Sequence, residues 1–122
     1  MRIAPQSTHK KIVIDKYDNN GFLISGNYVI GPILISENGY FNFNYKIIEL
    51  LSVEKSLKLI DPVDILLIGK PGVVENSEKE LNNAFDNINI EFMQTGSCCR
   101  TYNLLIAENR RVGAIIFPLK EN

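Results

Sequence analysis

Ile65-Leu66-Leu67-Ile68 is a continuous apolar run closed by Gly69. With no polar residue on either side of the pleat, a strand here must be covered on both faces. This requirement constrains the fold more than any other feature, because the strand needs layers above and below it. The flanking sequence offers candidates. Ser52 to Ile60 places Val53, Leu57 and Ile60 on one helical face and is ended by Pro62. Ser77-Glu78-Lys79-Glu80 is a capping box, and Leu81, Ala84, Phe85 and Ile88 follow at i, i+3, i+4, i+7. Ile90 to Met93 is a second strand. The turn Thr95-Gly96-Ser97 leads into a helix from about Cys98 to Glu108, with Asn109 suited to the left-handed position past its end. Arg110 and Arg111 follow where cations favour the helix dipole. Val112 to Phe117 is a last strand, stopped by Pro118.

The order strand, helix, strand, helix, strand implies crossover connections and a parallel core. The N-terminal half differs. Ile12 to Tyr17, Phe22 to Ile24, Tyr28 to Ser36 and Tyr40 to Phe43 are strand-like, separated by Asn19-Asn20-Gly21, Ser25-Gly26-Asn27 and Asn38-Gly39 turns. Gly31-Pro32 inside the third run marks an edge or a bulge, since proline donates no ladder hydrogen bond. The expected fold class is α/β in about three layers. It has a central mixed, mostly parallel sheet with flanking helices, plus an N-terminal β-meander. One domain is expected over residues 1–122, a length that buries roughly 65% of the unfolded surface.

A net charge of −1 argues against broad binding to nucleic acid or anionic membrane, which needs a basic excess. No apolar run approaches the ~20 residues of a membrane span, so direct insertion is not expected. Residues 1–11 lack the apolar centre of a secretory signal. The two cysteines are adjacent and pair poorly with each other, so a reducing compartment fits. The single histidine, His9, makes no zinc spacing with Cys98 and Cys99. No metal or cofactor is expected.

Two loops follow core strands, where ligands gather in open α/β sheets. One holds Gly69 and Gly72. The other holds Thr95 and Gly96 and runs into a helix N-terminus, which attracts anions. Arg100, placed in the first turn of that helix, opposes the dipole and asks for a carboxylate or an anionic ligand. Asp61, Asp64 and Glu91 are the candidate structural partners. Thr101, Tyr102 and Asn103 add three hydrogen-bonding side chains within one turn, with Tyr102 expected to face the sheet. The candidate ligand or partner site is therefore Gly69, Gly72, Thr95, Gly96, Arg100, Thr101 and Asn103. No catalytic residue is expected, because a nucleophilic cysteine needs a base and the cysteines are better suited to packing.

Met93-x-Thr95-x-x-x-Cys99-Arg100-Thr101-Tyr102-Asn103, then Leu105 and Glu108-x-Arg110-x-Val112, resembles a small domain family of unknown function. Its members include a mitochondrial respiratory complex I assembly factor and an adipogenesis-associated protein. Gly21-Phe22, Tyr28, Gly31 and Leu66-Leu67-Ile68-Gly69 also occupy the family's places. The chain departs from the family pattern at Gln94, where an aspartate is usual, at Cys98, where alanine is usual, and at Asn109, where glycine is usual. The Gly69-Lys70-Pro71-Gly72 loop replaces a usual Gly-Thr-Gly. The resemblance implies a non-enzymatic protein-interaction or assembly role, with membrane-complex subunits as partners. The location expected is the bacterial cytoplasm or the periphery of the inner membrane. The alternative is a small-molecule or anion-binding domain that uses the strand-end loops and Arg100.

Overall fold

The computed structural model describes residues 2–3, 11–42, 63–72 and 89–120. The helical segments expected at Ser52 to Ile60 and Ser77 to Ile88 lie outside the described residues. The described elements, in chain order, are β1 (Arg2–Ile3), β2 (Ile14–Tyr17), β3 (Gly21–Ile24), β4 (Asn27–Ile30), β5 (Ile33–Ser36) and β6 (Gly39–Asn42). They continue with β7 (Ile65–Lys70), β8 (Asn89–Gln94), α1 (Thr95–Ala107) and β9 (Val112–Ile116).

Two sheets result. A six-stranded sheet runs β1-β6-β5-β9-β7-β8, and a three-stranded meander runs β2-β3-β4. The α/β, mixed-sheet expectation holds, with the parallel part confined to three strands. β7 pairs in parallel with β8 and β9, while β9–β5, β5–β6 and β6–β1 are antiparallel. The strand connected through α1, from β8 to β9, steps over β7 as a crossover must.

The apolar run at 65–68 lies where its composition requires. Leu66, Leu67 and Ile68 are all buried, as are Ile115 and Ile116 of β9 and Leu34 and Ile35 of β5. Successive side chains alternate across the sheet. Ile33, Ile35, Leu67, Ala114 and Ile116 join one cluster with Cys98, Tyr102 and Ile106 of α1. Their neighbours Leu34, Leu66, Ile68 and Ile115 occupy the other face and are buried there too. The same cluster takes in Ile12, Ile14, Phe22 and Ile24, so α1 shares its core with both the sheet and the meander.

The expected strand from Tyr28 to Ser36 is two strands in two sheets. Gly31 adopts φ +88° and Pro32 supplies no N–H, so the ladder stops after Ile30 and the chain passes from the meander to the larger sheet. β3 and β4 close on a two-residue turn, Ser25 (φ 46°) and Gly26 (φ 88°), whose left-handed pair matches the twist of a hairpin. The β2–β3 turn is held by Asp18. Its Oδ1 accepts from the N–H groups of Asn20 and Gly21, each at 2.9 Å, and from the Tyr28 hydroxyl at 2.7 Å. Those bonds, that from Tyr28 first, hold the Asp18 carboxyl below the usual carboxylate range and push the Tyr28 phenol up. Beyond β9, the tail crosses this turn: Leu119 N–H donates to Asp18 O and Lys120 N–H to Asn19 O.

Candidate functional site

α1 begins at Thr95, three residues earlier than the sequence suggests, because Thr95-Gly96-Ser97 is the first helical turn rather than a loop. Gln94 is the N-cap and makes no side-chain capping bond. The Thr95 hydroxyl turns instead to the sheet and donates to Phe117 O at 2.7 Å. Phe117 N–H in turn donates to Gly69 O at 2.8 Å, which ties the helix start, the end of β9 and the end of β7 together.

Gly69 is at a point of close approach. A Cβ there would stand 2.5 Å from Cys98 Cβ, 2.9 Å from Cys98 Sγ and 3.2 Å from Ile116 Cγ2. The absent side chain is what lets α1 lie directly on β7. Gly72 takes φ +86° with open space around it, as a turn residue does.

Tyr102 and Asn103 bind backbone. The Tyr102 hydroxyl donates to Ile12 O at 2.9 Å, fully buried. Ile14 N–H donates to Asn103 Oδ1 at 2.9 Å, and Asn103 Nδ2 donates to Ile14 O at 2.8 Å. The amide thus pairs with the outer edge of β2 as a neighbouring strand would, satisfying both polar groups of a residue only 4% exposed. Tyr102 is buried as expected, and the partner its hydroxyl reaches is the irregular segment leading into β2.

Arg100 is the sixth residue of α1, not a member of its first turn. The dipole effect falls off within that first turn, so the local conflict that pointed Arg100 at an anion is absent. Its side chain is exposed and Nη2 donates to Ser97 Oγ at 3.4 Å. Among the described residues no carboxylate pairs with it. Asp64, one expected partner, makes a bidentate pair with Arg111 at 2.9 and 3.1 Å. Arg111 therefore serves the β7–β9 edge rather than the helix dipole, and α1 has no basic residue in its last turn. Asn109 does adopt the left-handed conformation, at φ 61°.

Arg100, Cys99 and Asn103 form one wall of an open cavity of about 380 Å³, and Ile14, Asp15, Lys16 and Tyr17 of β2 form the other. A bulge between Ile14 and Lys16 shapes the β2 wall. Gly96 lies beside it, with the Tyr17 hydroxyl and the Arg100 guanidinium packed where its Cβ would be. The structure thus brings Arg100, Asn103 and Gly96 to one cavity edge. Gly69 and Thr95 are at the sheet side of α1, and Gly72 does not line the cavity. Thr101 is half-buried on α1. Sequence reasoning missed the β2 wall, because pairing of Ile14 with Asn103 is a contact across 89 residues that no local pattern encodes.

Neither thiol is activated. Burial pushes Cys98 well above its ordinary value, and proximity to Cys99 adds to this. Burial pushes Cys99 up to about 12 against a smaller opposing pull from the Arg100 guanidinium. Both are free, buried and protonated at neutral pH. Among the described residues no cluster of three or more His, Cys, Asp or Glu could hold a metal, and no helix is long and apolar enough to cross a membrane.

Residues 14–117 match the family described as "Protein of unknown function (DUF498/DUF598)". The chain is 28% identical over 110 residues to the NADH dehydrogenase [ubiquinone] 1 alpha subcomplex assembly factor 3 of Xenopus tropicalis, covering 86% of this chain and 60% of that protein. It is also 28% identical to the 13 kDa major membrane protein of Francisella tularensis subsp. holarctica (strain LVS), covering 95% of this chain and 98% of that one. A Mth938-like domain from Bordetella pertussis superposes with a TM-score of 0.66 at 16% identity, covering 100% of this chain and 94% of that chain. That likeness shows the fold alone.

Proposed function

We propose a non-enzymatic, assembly-factor-like function for this chain, which belongs to the DUF498/DUF598 family. The relatives named as NADH dehydrogenase assembly factors are matched over 86–88% of this chain, although the chain spans only 60% of the length of the Xenopus protein. The role carried over is contact with subunits of a membrane respiratory complex, from the cytoplasm or from the periphery of the inner membrane.

One observation carries this reading beyond resemblance. The residues that mark the family, Thr95, Tyr102 and Asn103, spend their polar groups on backbone of Phe117 just past β9, of Ile12 and of β2. Buried groups paired in this way are part of the scaffold. Both cysteines are protonated beneath that scaffold. A segment that looks reactive in sequence is therefore occupied in holding the fold, which favours function through surface contact.

Affinity capture of the full chain from native cells in mild detergent tests the reading. Recovery of respiratory complex I subunits supports it. Recovery of none, with the chain itself intact on the support, overturns it.

A further inference from the structure

We infer that the three-stranded meander is a flap latched to α1 by Tyr102 and Asn103, able to open as a unit while the six-stranded sheet stays folded, and that its opening uncovers Cys99. The inference stands independently of the assembly role.

The first ground is connectivity. No strand ladder joins β2-β3-β4 to the larger sheet among the described residues. The hydrogen bonds that cross the seam come from side chains and from the tail. Among the described residues they are the three made by Tyr102 and Asn103, one from Lys11 Nζ to Asn109 Oδ1 at 2.7 Å, one from Asn42 Nδ2 to Ile30 O at 3.2 Å, and the two from Leu119 and Lys120 to the β2–β3 turn. The larger sheet carries its own parallel and antiparallel ladders, and what the meander segment adds to the common core is Ile12, Ile14, Phe22 and Ile24. Elements that share few hydrogen bonds with the remainder open at lower free energy than the whole.

The second ground is the shape of the seam. It is closed at Ile14, where Asn103 grips the backbone on both sides. Past the bulge at Asp15 it is open, and the cavity between Lys16, Tyr17 and α1 reaches Cys99. Cys99 is 3% exposed and lies in the cluster with Ile12, Ile14 and Phe22. Moving β2 away from α1 lengthens this existing opening and bares the thiol. In the closed form burial keeps that thiol protonated, so reaction with an alkylating reagent reports opening.

The test is native-state alkylation of Cys99 by a maleimide in the full chain carrying Cys98→Ala. Labelling is expected to be far slower than in the urea-unfolded chain. Adding Asn103→Ala is expected to speed it about 10-fold, since two bonds that hold the closed form are lost. Ile115→Val, on the far face of the larger sheet, lowers Tm without a matching acceleration. Should Asn103→Ala not fold, Tyr102→Phe removes the hydroxyl that donates to Ile12 O and is expected to give about a 3-fold acceleration. The inference is overturned if labelling in the parent is as fast as in the unfolded chain. It is equally overturned if Ile115→Val accelerates labelling as much per degree of Tm lost as the latch variants do, because opening is then global.

Discussion

Gly69→Ala separates a packing role for the strand-end glycine from a ligand-loop role. The new methyl group would meet Cys98 Cβ at 2.5 Å and Cys98 Sγ at 2.9 Å, well inside ordinary contact, and Ile116 Cγ2 at 3.2 Å. A flexible side-chain tip could swing away, but Cys98 Cβ is fixed to the helix backbone. β7 cannot move sideways either, because Gly69 pairs with Met93 of β8 and Ile116 of β9, and its carbonyl accepts from Phe117. The relief left is to lift α1 from the sheet, which loosens the cluster around Tyr102 and Ile106. Overpacking costs about 1–3 kcal/mol, and so short a contact against the fixed Cβ, with the sulfur close behind it, puts Gly69→Ala near the top, about 3 kcal/mol. In urea unfolding that is a midpoint shift of about 1–2 M. Cys98→Ala removes the sulfur but keeps the Cβ. In that background the cost of Gly69→Ala is expected to fall by about 1 kcal/mol and not to vanish, a coupling within the range for residues in contact. A Gly69→Ala protein within about 0.5 kcal/mol of the parent, the range of surface substitutions, would refute the reasoning. So would a cost indifferent to Cys98.

Further expectations rest on the helix cap and on the β2–β3 turn. Gln94 caps α1 with no side-chain bond, and the first turn holds no acid, so Gln94→Asp should stabilise the chain by about 1 kcal/mol at neutral pH; an unchanged urea midpoint counts against the assigned helix start. The Asp18 carboxyl titrates below its unfolded value of 3.8, so the stability it contributes is complete above that pH and is lost as pH falls through the folded value. Tyr28 titrates above 10.0, so its share is complete below that pH and is lost as pH rises through the folded value. Urea unfolding between pH 6 and 2.5 should show a decline that is shallower in Asp18→Asn, and parallel curves would remove Asp18 from the turn.

How much of this was legible in the sequence depends on the range of the interaction concerned. The Leu66–Ile68 run stated its double burial because composition alone reports it, and the Ser25-Gly26 turn stated its hairpin because left-handed backbone favours glycine, whereas Gly21 and Gly39 open strands at ordinary φ. The strand break at Gly31-Pro32 was visible as an irregularity, yet the change of sheet was not, since that depends on β5 finding β9 some 80 residues away. The start of α1 was misplaced because Thr-Gly-Ser favours turns locally. Here Thr95 is fixed by a bond to Phe117, and Gly96 gives room to Tyr17. That error moved Arg100 into the first turn and gave it an electrostatic conflict it does not have. The polar cluster at 101–103 was visible, but its partners Ile12 and Ile14 lie at the other end of the chain.

The claim that Cys98 to Asn103 holds the fold together, rather than forming a reacting site, is tested most directly by hydrogen exchange at the Ile14 amide. This N–H faces away from β3, on the outer edge of the meander, and its partner is Asn103 Oδ1. It is predicted to be protected in the parent chain and to lose that protection in Asn103→Ala, while the amide of Ile115 in the larger sheet stays protected. Free exchange at Ile14 in the parent, or undiminished protection in Asn103→Ala, would contradict the account.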